Sequence, residues 1–463
     1  MIFLLIIIFF WKFILFINFP FINSDGPWTL GHLFSILAGN LNASTFGLYP
    51  LGEIFKTHVL EIILFPFYSI LPTNTYTFIA VNFLFIACTI VLIYFIIFKQ
   101  YKDLNLFWLA NFGFLSSTYT YGMRSENYII PLLLLIILLF NLDKGKGSLA
   151  SLLSIAFFCS IVAFIHPVGG ITATIIILSR LIEFHNYIKS LLIIIFSGII
   201  LSIVITWGEA QSYIEYYLTA IGPSGDHDFW LMGFPKYMTF SVGIIPLMVL
   251  SINKSSVKSI TMLTFMIILL SFFGRSYYFH YLFVILISLI SNPTSKEFSF
   301  SNLYSNRIYK YSFRSCILVS MLFTHFSPTF LFLENKELGK NYRAMLSKVD
   351  SLAKRQNLSN LLWVPAQFGM EVIDQRNTRL HYHFHESEVG EKIRLESGDK
   401  MLFFSKEKMD KIFRKQISNP LEQLLIEKLI KPNPGYLRIG TFYRERADSL
   451  GLWSISLKSD FDI

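Results

Sequence analysis

The chain has 463 residues, of which 54% are hydrophobic and 15% are charged, and phenylalanine occupies 48 positions. This balance excludes an ordinary water-soluble domain, in which about a quarter of the residues are charged. Apolar runs recur from Met1 to about Leu333, and many approach the ~20 residues that a helix needs to cross a bilayer. The net charge of +9 is expected from basic residues that fix membrane topology, so the composition predicts a membrane protein without a nucleic-acid partner.

The apolar runs predict about eleven transmembrane helices. The spans are about 2–19, 76–98, 105–122, 128–142, 148–165, 168–182, 190–207, 237–252, 259–273, 279–291 and 313–333. We interpret Met1 to Phe19 as a retained first helix, because it has neither a basic leading region nor a small-residue cleavage site. Lys12 lies inside this run, and we expect its side chain to reach toward the interface or to face other helices.

Basic residues are distributed unequally between alternate loops. One set of loops carries twelve Lys and Arg residues: Lys99, Lys102, Lys144, Lys146, Arg180, Lys189, Lys254, Lys258, Lys296, Arg307, Lys310 and Arg314. The other set carries four: Lys56, Arg124, Lys236 and Arg275. Because cytoplasmic loops hold the basic excess, the pattern predicts a cytoplasmic N-terminus and an extracytoplasmic C-terminal domain. We expect a multi-pass protein of the bacterial inner (plasma) membrane.

Two regions outside these spans have a composition of their own. The first outer loop, residues 20–75, contains two stretches of apolar residues among isolated charges, which predict helices lying in the membrane interface: Trp28 to Leu41 and Gly52 to Leu71. The chain therefore divides into a transmembrane domain, 1–333, and a soluble extracytoplasmic domain, 334–463.

The C-terminal domain is predicted to be α/β or α+β, because apolar strand-like runs alternate with helical stretches. The predicted strands are Leu361 to Pro365, Lys400 to Phe404 and Leu437 to Phe442, and the predicted helices are Leu338 to Gln356, Lys406 to Gln416 and Leu421 to Leu429.

Three histidines, His381, His383 and His385, alternate along one predicted strand and could ligate zinc or copper. Alternate residues on a strand are about 7 Å apart, which is too far for a compact tetrahedral site, so we favour a solvated face of an edge strand and predict no metal site.

Ionisable residues gather at the predicted outer ends of the helices. Asp25 follows the first helix in Asn23-Ser24-Asp25-Gly26-Pro27-Trp28 and is either a helix N-cap or a functional carboxylate. Arg124 and Glu126 lie in a tight turn between two apolar helices, where charge without a role is expensive. His166 ends the fifth helix directly before Pro167, where it is either a satisfied structural histidine or a functional one.

A second group lies in the segment from Gly274 to Tyr281, which contains Arg275, Tyr277, Tyr278 and His280. An aromatic belt accounts for the tyrosines but not for the arginine. Cations at several outer helix ends could hold a phosphate by charge-assisted hydrogen bonds, and a carboxylate opposite them could deprotonate a hydroxyl group.

This order of motifs resembles the C-type (GT-C fold) glycosyltransferase superfamily, which includes protein O-mannosyltransferases and lipid A aminoarabinose transferases. The resemblance covers most of residues 1–333. Its motifs are an acidic residue after the first helix, a helical first outer loop, the Arg-Ser-Glu turn, the His-Pro pair and the Arg-x-Tyr-Tyr segment. Gly26 follows Asp25 where many relatives have Glu, which leaves the subfamily, the acceptor and a divalent-cation requirement open.

The resemblance implies a glycosyltransferase that moves a sugar from a polyprenyl-phosphate donor to an extracytoplasmic acceptor at the membrane. It implies Asp25 as the base or acceptor-orienting carboxylate and Arg124, Arg275 and Lys56 as ligands of the donor phosphate. The supporting residues are Glu126, His166, Tyr277, Tyr278 and His280. The alternatives are a transporter or flippase for a lipid-linked glycan, and a polymerase or ligase that uses a polyprenyl diphosphate.

Overall fold

The computed structural model describes most of the helical part of the chain and parts of its C-terminal region. The described residues are 2–20, 59–99, 104–122, 124–144, 146–181, 186–206, 233–254, 257–272, 276–291, 307–326, 329–330, 333, 336–355, 362–372, 378–381, 400–404, 443–446 and 452–456.

The described residues are mainly helical. The first helices are α1 (Ile2–Asn18), α2 (Val59–Tyr68), α3 (Thr75–Ile93), α4 (Leu104–Leu115), α5 (Glu126–Asp143), α6 (Leu149–Ile165) and α7 (Pro167–Leu181). The next are α8 (Tyr187–Thr206), α9 (Gly233–Phe240), α10 (Ile245–Lys254), α11 (Val257–Phe272), α12 (Leu282–Ile290), α13 (Arg307–Met321) and α14 (Lys336–Arg355). Short 3₁₀ helices span Thr118–Tyr121, Val242–Ile244, Ser276–Tyr281 and Ala366–Glu371, and π turns extend α3 over Tyr94–Phe98 and α13 over Leu322–Phe326.

Among the described residues, three helical segments are long and apolar enough to cross a membrane: Thr75–Phe98, Glu126–Asp143 and Tyr187–Val204. Six further apolar helices have between 10 and 17 residues. The prediction of a helical protein with segments that could cross a membrane is confirmed. The predicted number of eleven transmembrane helices stays a prediction. Of the two predicted interfacial helices, the second contains α2, and the first lies outside the described residues.

The chain falls into two compact units, one formed by Met1–Lys12 and Asn82–Pro328, the other by Phe13–Val81 and Thr329–Ile463. The predicted transmembrane domain, 1–333, and the predicted soluble domain, 334–463, stay a prediction.

In the first unit the core lies around α4 and α12. Every residue of α12 is buried, and so are ten of the twelve residues of α4. A helix that is apolar on all sides belongs in the interior of a bundle. Helix α8 is the opposite case, since Phe196, Ile200 and Val204 are more than half exposed.

Lys12 is buried, and its ammonium lies 5.2 Å from the centre of the Tyr121 ring. Of the two orientations expected for this side chain, the structure has the one that faces other elements of the protein.

Helices α5 and α6 form a hairpin of nearly equal arms, with 18 and 17 residues. The buried Asp143 carboxylate closes their connection by accepting hydrogen bonds from the backbone N–H groups of Gly147 and Ser148, at 2.6 and 3.0 Å. Lys144 adopts the left-handed conformation, with φ of 49°. Ser148 then caps α6 by accepting from the backbone N–H of Ser151. The turn is therefore fixed at both ends.

The predicted single helix over 237–252 is wrong in one respect, because the chain breaks at Ser241 between α9 and α10. The buried Ser241 hydroxyl lies 2.7 Å from that of Ser117. Gly243 follows in the break, and a Cβ there would lie 2.7 Å from the Cβ of Ser116. The break thus lies where Ser241 and Gly243 closely approach the side chains of Ser117 and Ser116, and the hydropathy of the run does not predict such a contact.

In the second unit, side chains from the C-terminal residues satisfy backbone groups at two helix ends. The Arg343 guanidinium donates a hydrogen bond to the carbonyl of Asn18, the last residue of α1. The Thr75 backbone N–H, at the start of α3, donates to Glu371 Oε1 at 2.8 Å. Such groups have no partner within their own helix, and a carboxylate at a helix N-terminus also meets the positive end of the helix dipole.

The second unit also contains a five-stranded sheet of β1 (Leu362–Pro365), β2 (Thr378–His381), β3 (Lys400–Phe404), β4 (Tyr443–Arg446) and β5 (Leu452–Ser456), in the order β2-β1-β3-β5-β4. Strand β1 runs parallel to β2 and β3, whereas β5 runs antiparallel to β3 and β4. Strands β1 and β3 coincide with two of the predicted strands. Strand β2 forms one edge and ends at His381, and His383 and His385 lie outside the described residues.

The first turn of α7 packs so closely on α6 that only glycine fits. A Cβ on Gly170 would lie 2.8 Å from the Ala163 Cβ and 2.9 Å from its Cα, so backbone would have to move. We expect Gly170→Ala to destabilise the protein by about 1–3 kcal/mol, as overpacking does. Thermal unfolding in detergent measures this effect. Gly198→Ala is the matched control, because its Cβ would meet only Ser160 Oγ at 3.8 Å; equal melting temperatures for the two variants would contradict the packing argument.

Candidate functional site

The turn between α4 and α5 is held by its own side chains. The Thr120 hydroxyl donates to the carbonyl of Phe114, and the Tyr121 hydroxyl donates to that of Leu115 at 2.9 Å. These bonds satisfy carbonyl groups at the end of α4, which have no partner in the helix. The chain reverses direction there, and Arg124 and Ser125, both partly buried, precede the start of α5 at Glu126.

Arg124 and Glu126 form an ion pair in this turn, with 3.4 Å between Arg124 Nε and Glu126 Oε2. The Glu126 side chain is 4% exposed and the Arg124 side chain 23% exposed. Glu126 occupies the first turn of α5, where the helix dipole favours a carboxylate. A buried, paired carboxylate at this position differs from the solvated ion pair that a surface turn would carry.

His166 lies between α6 and α7, and its ring orientation is fixed by the backbone of α7. The Val168 backbone N–H donates to His166 Nδ1 at 3.2 Å, while Pro167 occupies the first position of α7. An Nδ1 that accepts a hydrogen bond is unprotonated, so in the neutral ring the proton is on Nε2. His166 therefore presents one N–H donor toward its surroundings.

The third segment is the 3₁₀ helix Ser276–Tyr281, which precedes α12. The ring centre of Tyr278 lies 5.2 Å from that of His166, and the ring of Tyr281 lies at 6.3 Å. His280 points to another side of the same segment, stacks on Phe114 at 5.8 Å, and has its Nε2 3.5 Å from the Thr120 hydroxyl. This segment therefore contacts both the α4–α5 turn and the α6–α7 junction.

The charges around His166 act on it in opposite directions. Burial lowers the pKa of His166 to about 4, because withdrawal from water disfavours the charged ring. The negative charge of Glu126 raises this pKa and the positive charge of Arg124 lowers it. Both residues are thus close enough to interact electrostatically with the imidazole, which is neutral at physiological pH and acts as a hydrogen-bond donor through Nε2.

Five residues of the predicted site lie in these three segments: Arg124, Glu126, His166, Tyr278 and His280. Tyr277 belongs to the same 3₁₀ helix, but its side chain lies outside the described part of the structure. Asp25, Lys56 and Arg275 also lie outside the described residues. Their convergence with Arg124 therefore stays a prediction.

Three residues of the site were missed by the sequence analysis: Thr120, Asn127 and Tyr281. Asn127 follows Glu126 and is buried, with its amide 3.5 Å from the amide oxygen of Asn82 on α3. The sequence could have indicated Asn127, because a polar amide within an apolar helix is energetically unfavourable in hydrocarbon unless it has a role. Thr120 and Tyr281 carried no signal, because hydroxyl and phenol groups are ordinary at membrane interfaces.

Among the described residues, no group of three or more His, Cys, Asp or Glu side chains could hold a metal ion. The polar groups of the site are instead two potential donors, the Arg124 guanidinium and the His166 Nε2–H, beside the Glu126 carboxylate. Donors of this kind bind phosphate and other oxyanions, and a carboxylate beside them binds hydroxyl groups.

No model of a known protein family matches the chain, and no curated protein matches it significantly. The likeness to C-type glycosyltransferases therefore rests on the motifs of this sequence.

The neutral tautomer of His166 can be tested by NMR of histidine-labelled protein. We expect Nε2 to be protonated at neutral pH and the ring to titrate near pH 4. Arg124→Gln removes a positive charge and should raise this pKa, whereas Glu126→Gln removes a negative charge and should lower it further. Lys99→Gln, at the exposed far end of the π turn after α3, serves as the control. Shifts of the same sign in the two site variants would contradict the arrangement.

Proposed function

We propose that the protein is a membrane glycosyltransferase that transfers a sugar from a polyprenyl-phosphate donor to a hydroxyl group of an extracytoplasmic glycan, lipid or protein. One observation carries this proposal. The ion pair between the buried Glu126 and the partly exposed Arg124 lies within electrostatic reach of the neutral His166 and its neighbour Tyr278, and these residues come from three separate helix-to-helix turns. Charged groups gathered at one set of helix ends suit a substrate whose lipid tail stays in the bilayer and whose phosphate lies at the surface.

The donor groups of the site suit the leaving group of this reaction. As the bond between the anomeric carbon and the phosphate oxygen breaks, negative charge collects on the lipid phosphate. Cations and N–H donors around that phosphate stabilise the transition state more than the ground state, which is what accelerates the step. We assign phosphate binding to Arg124, with Arg275 and Lys56 as further ligands. His166 donates a hydrogen bond to the same phosphate through its Nε2–H.

Asp25 is assigned the role of general base, because it follows the first apolar run in the sequence and because the first outer loop resembles that of C-type glycosyltransferases. It would take the proton of the acceptor hydroxyl as the oxygen attacks the anomeric carbon. Tyr277, Tyr278 and His280 support the site from the 3₁₀ helix before α12. These roles do not require a divalent cation, and a divalent-cation requirement stays open.

We further propose eleven membrane-spanning helices in the bacterial inner membrane, a cytoplasmic N-terminus and an extracytoplasmic C-terminal domain. Two contacts support the side assigned to that domain. Arg343 reaches the end of α1 and Glu371 reaches the start of α3, and the basic-residue pattern assigns both helix ends to the outer side.

This topology can be tested with a membrane-impermeant thiol reagent on intact cells, in a variant whose three native cysteines are replaced by serine. A cysteine added after Ile463 should be labelled, and Lys144→Cys, in the α5–α6 connection, should be labelled only after permeabilisation. The reverse pattern would overturn both the topology and the outer position of the site.

A transporter or flippase for a lipid-linked glycan is the second candidate, because α9 and α10 are two short helices separated by a break at Ser241. Discontinuous helices of this kind bind substrate in many transporters. The ionisable groups described above lie at helix ends, however, where they suit chemistry at an interface. A polymerase or ligase that uses a polyprenyl diphosphate would need the same phosphate ligands and differs in the donor.

Transfer can be measured with purified full-length protein, radiolabelled polyprenyl-phosphate sugars and membrane acceptors. Asp25→Asn should lower transfer by a factor on the order of a hundred to ten thousand while donor binding persists, because the amide has no basicity. Arg124→Gln should weaken donor binding instead. Asn caps a helix about as well as Asp. Unchanged transfer in Asp25→Asn would therefore show that Asp25 is a helix N-cap and not the general base. Label that crosses the bilayer without leaving its carrier would favour the transporter.

A further inference from the structure

The two oxygens of the Glu126 carboxylate have different surroundings. Oε2 lies 3.4 Å from Arg124 Nε and 3.5 Å from the Ser125 hydroxyl. Oε1 is buried and has no hydrogen-bond partner among the described residues. A buried carboxylate oxygen without a donor is rare and costly, since it has lost its water without replacement.

Asn127, the next residue on the first turn of α5, also has a side-chain oxygen without a hydrogen-bond partner among the described residues. This oxygen, Oδ1, is buried. This turn therefore presents two acceptors, Glu126 Oε1 and Asn127 Oδ1, that have no hydrogen-bond partner among the described residues. An anion in direct contact with Oε1 would be repelled by the carboxylate, whereas a ligand group that carries a hydroxyl or N–H would satisfy both oxygens.

The position of Oε1 relative to Arg124 limits which hydroxyl group this can be. The guanidinium has five N–H donors, and Arg124 Nε faces Glu126 Oε2 at 3.4 Å. On the proposed function, the phosphate is bound by this same guanidinium. A phosphate held there and a hydroxyl held by Oε1 are then separated by little more than the width of one ion pair. In a sugar 1-phosphate, the substituent nearest the phosphate is the one on the adjacent ring carbon, C2.

We propose that Glu126 Oε1 accepts a hydrogen bond from the C2 hydroxyl group of the donor sugar, and thereby selects donors that carry a hydrogen-bond donor at C2. This inference rests on the proposed function. Glu126 would then contact the substrate through Oε1 while Oε2 remains paired with Arg124. The sugar is then held through two adjacent substituents, its phosphate by Arg124 and its C2 hydroxyl by Glu126.

The test uses donor binding rather than transfer, so that it remains informative if the enzyme assignment fails. The probes are farnesyl-phosphate glucose, farnesyl-phosphate mannose and their shared 2-deoxy analogue, bound to detergent-solubilised full-length protein. Wild type should bind the preferred hexose on the order of ten- to a hundredfold more tightly than the 2-deoxy analogue, as expected for a hydrogen bond to a charged group. This comparison needs no mutation and so does not depend on the folding of a variant.

Glu126→Gln should reduce that discrimination and leave the affinity for the 2-deoxy analogue little changed. Ser125→Ala is the matched control, because its hydroxyl lies beside Oε2, and it should preserve the discrimination. Equal binding of hexose and 2-deoxy analogue by wild type would overturn the inference. So would an equal loss of affinity for both probes in Glu126→Gln, because Glu126 would then act only through Arg124. Binding with full discrimination but no transfer would sink the enzyme assignment and leave the C2 contact standing.

Discussion

Backbone groups at the ends of apolar helices have no partner within their own helix, and in a bilayer they have little water to replace one. The described turns meet this requirement with side chains. Thr120 and Tyr121 return to the last carbonyls of α4, and Asp143 binds two N–H groups between α5 and α6. In the second unit Glu371 meets the first N–H of α3. Each of these contacts fixes the geometry of a turn.

The candidate site depends on these fixed turns. Arg124 and Glu126 follow directly from the segment that Thr120 and Tyr121 hold, and the orientation of the His166 ring is set by the Val168 N–H. The site is thus built on short connections whose backbone is already constrained, which limits the reorganisation that binding requires. Tight glycine packing between α6 and α7 adds to this constraint, because it keeps the His166 junction close to α5.

Apolar runs in the sequence predicted the positions of the helices well, since burial in lipid or in protein requires the same composition. They did not predict the break at Ser241, because it arises from contact with Ser116 and Ser117, which lie far away in sequence. The turn containing Arg124 and Glu126 was recognisable from charge in a short connection. The unsatisfied oxygen of Glu126 and the fixed tautomer of His166 were not, because both depend on which atoms surround a side chain.

The hairpin of α5 and α6 has a geometric consequence for the site. Glu126 begins the first arm and His166 follows the second, so nearly equal arms of 18 and 17 residues return the chain to the end from which it started. Their relative rotation is set at the opposite end, by the connection that Asp143 closes. One residue inserted within α6 would turn the rest of the helix by about 100° about its axis and carry His166 to another face. The relative position of Glu126 and His166 thus depends on the length of both helices and on the connection a full helix length away, where Asp143 binds Gly147 and Ser148.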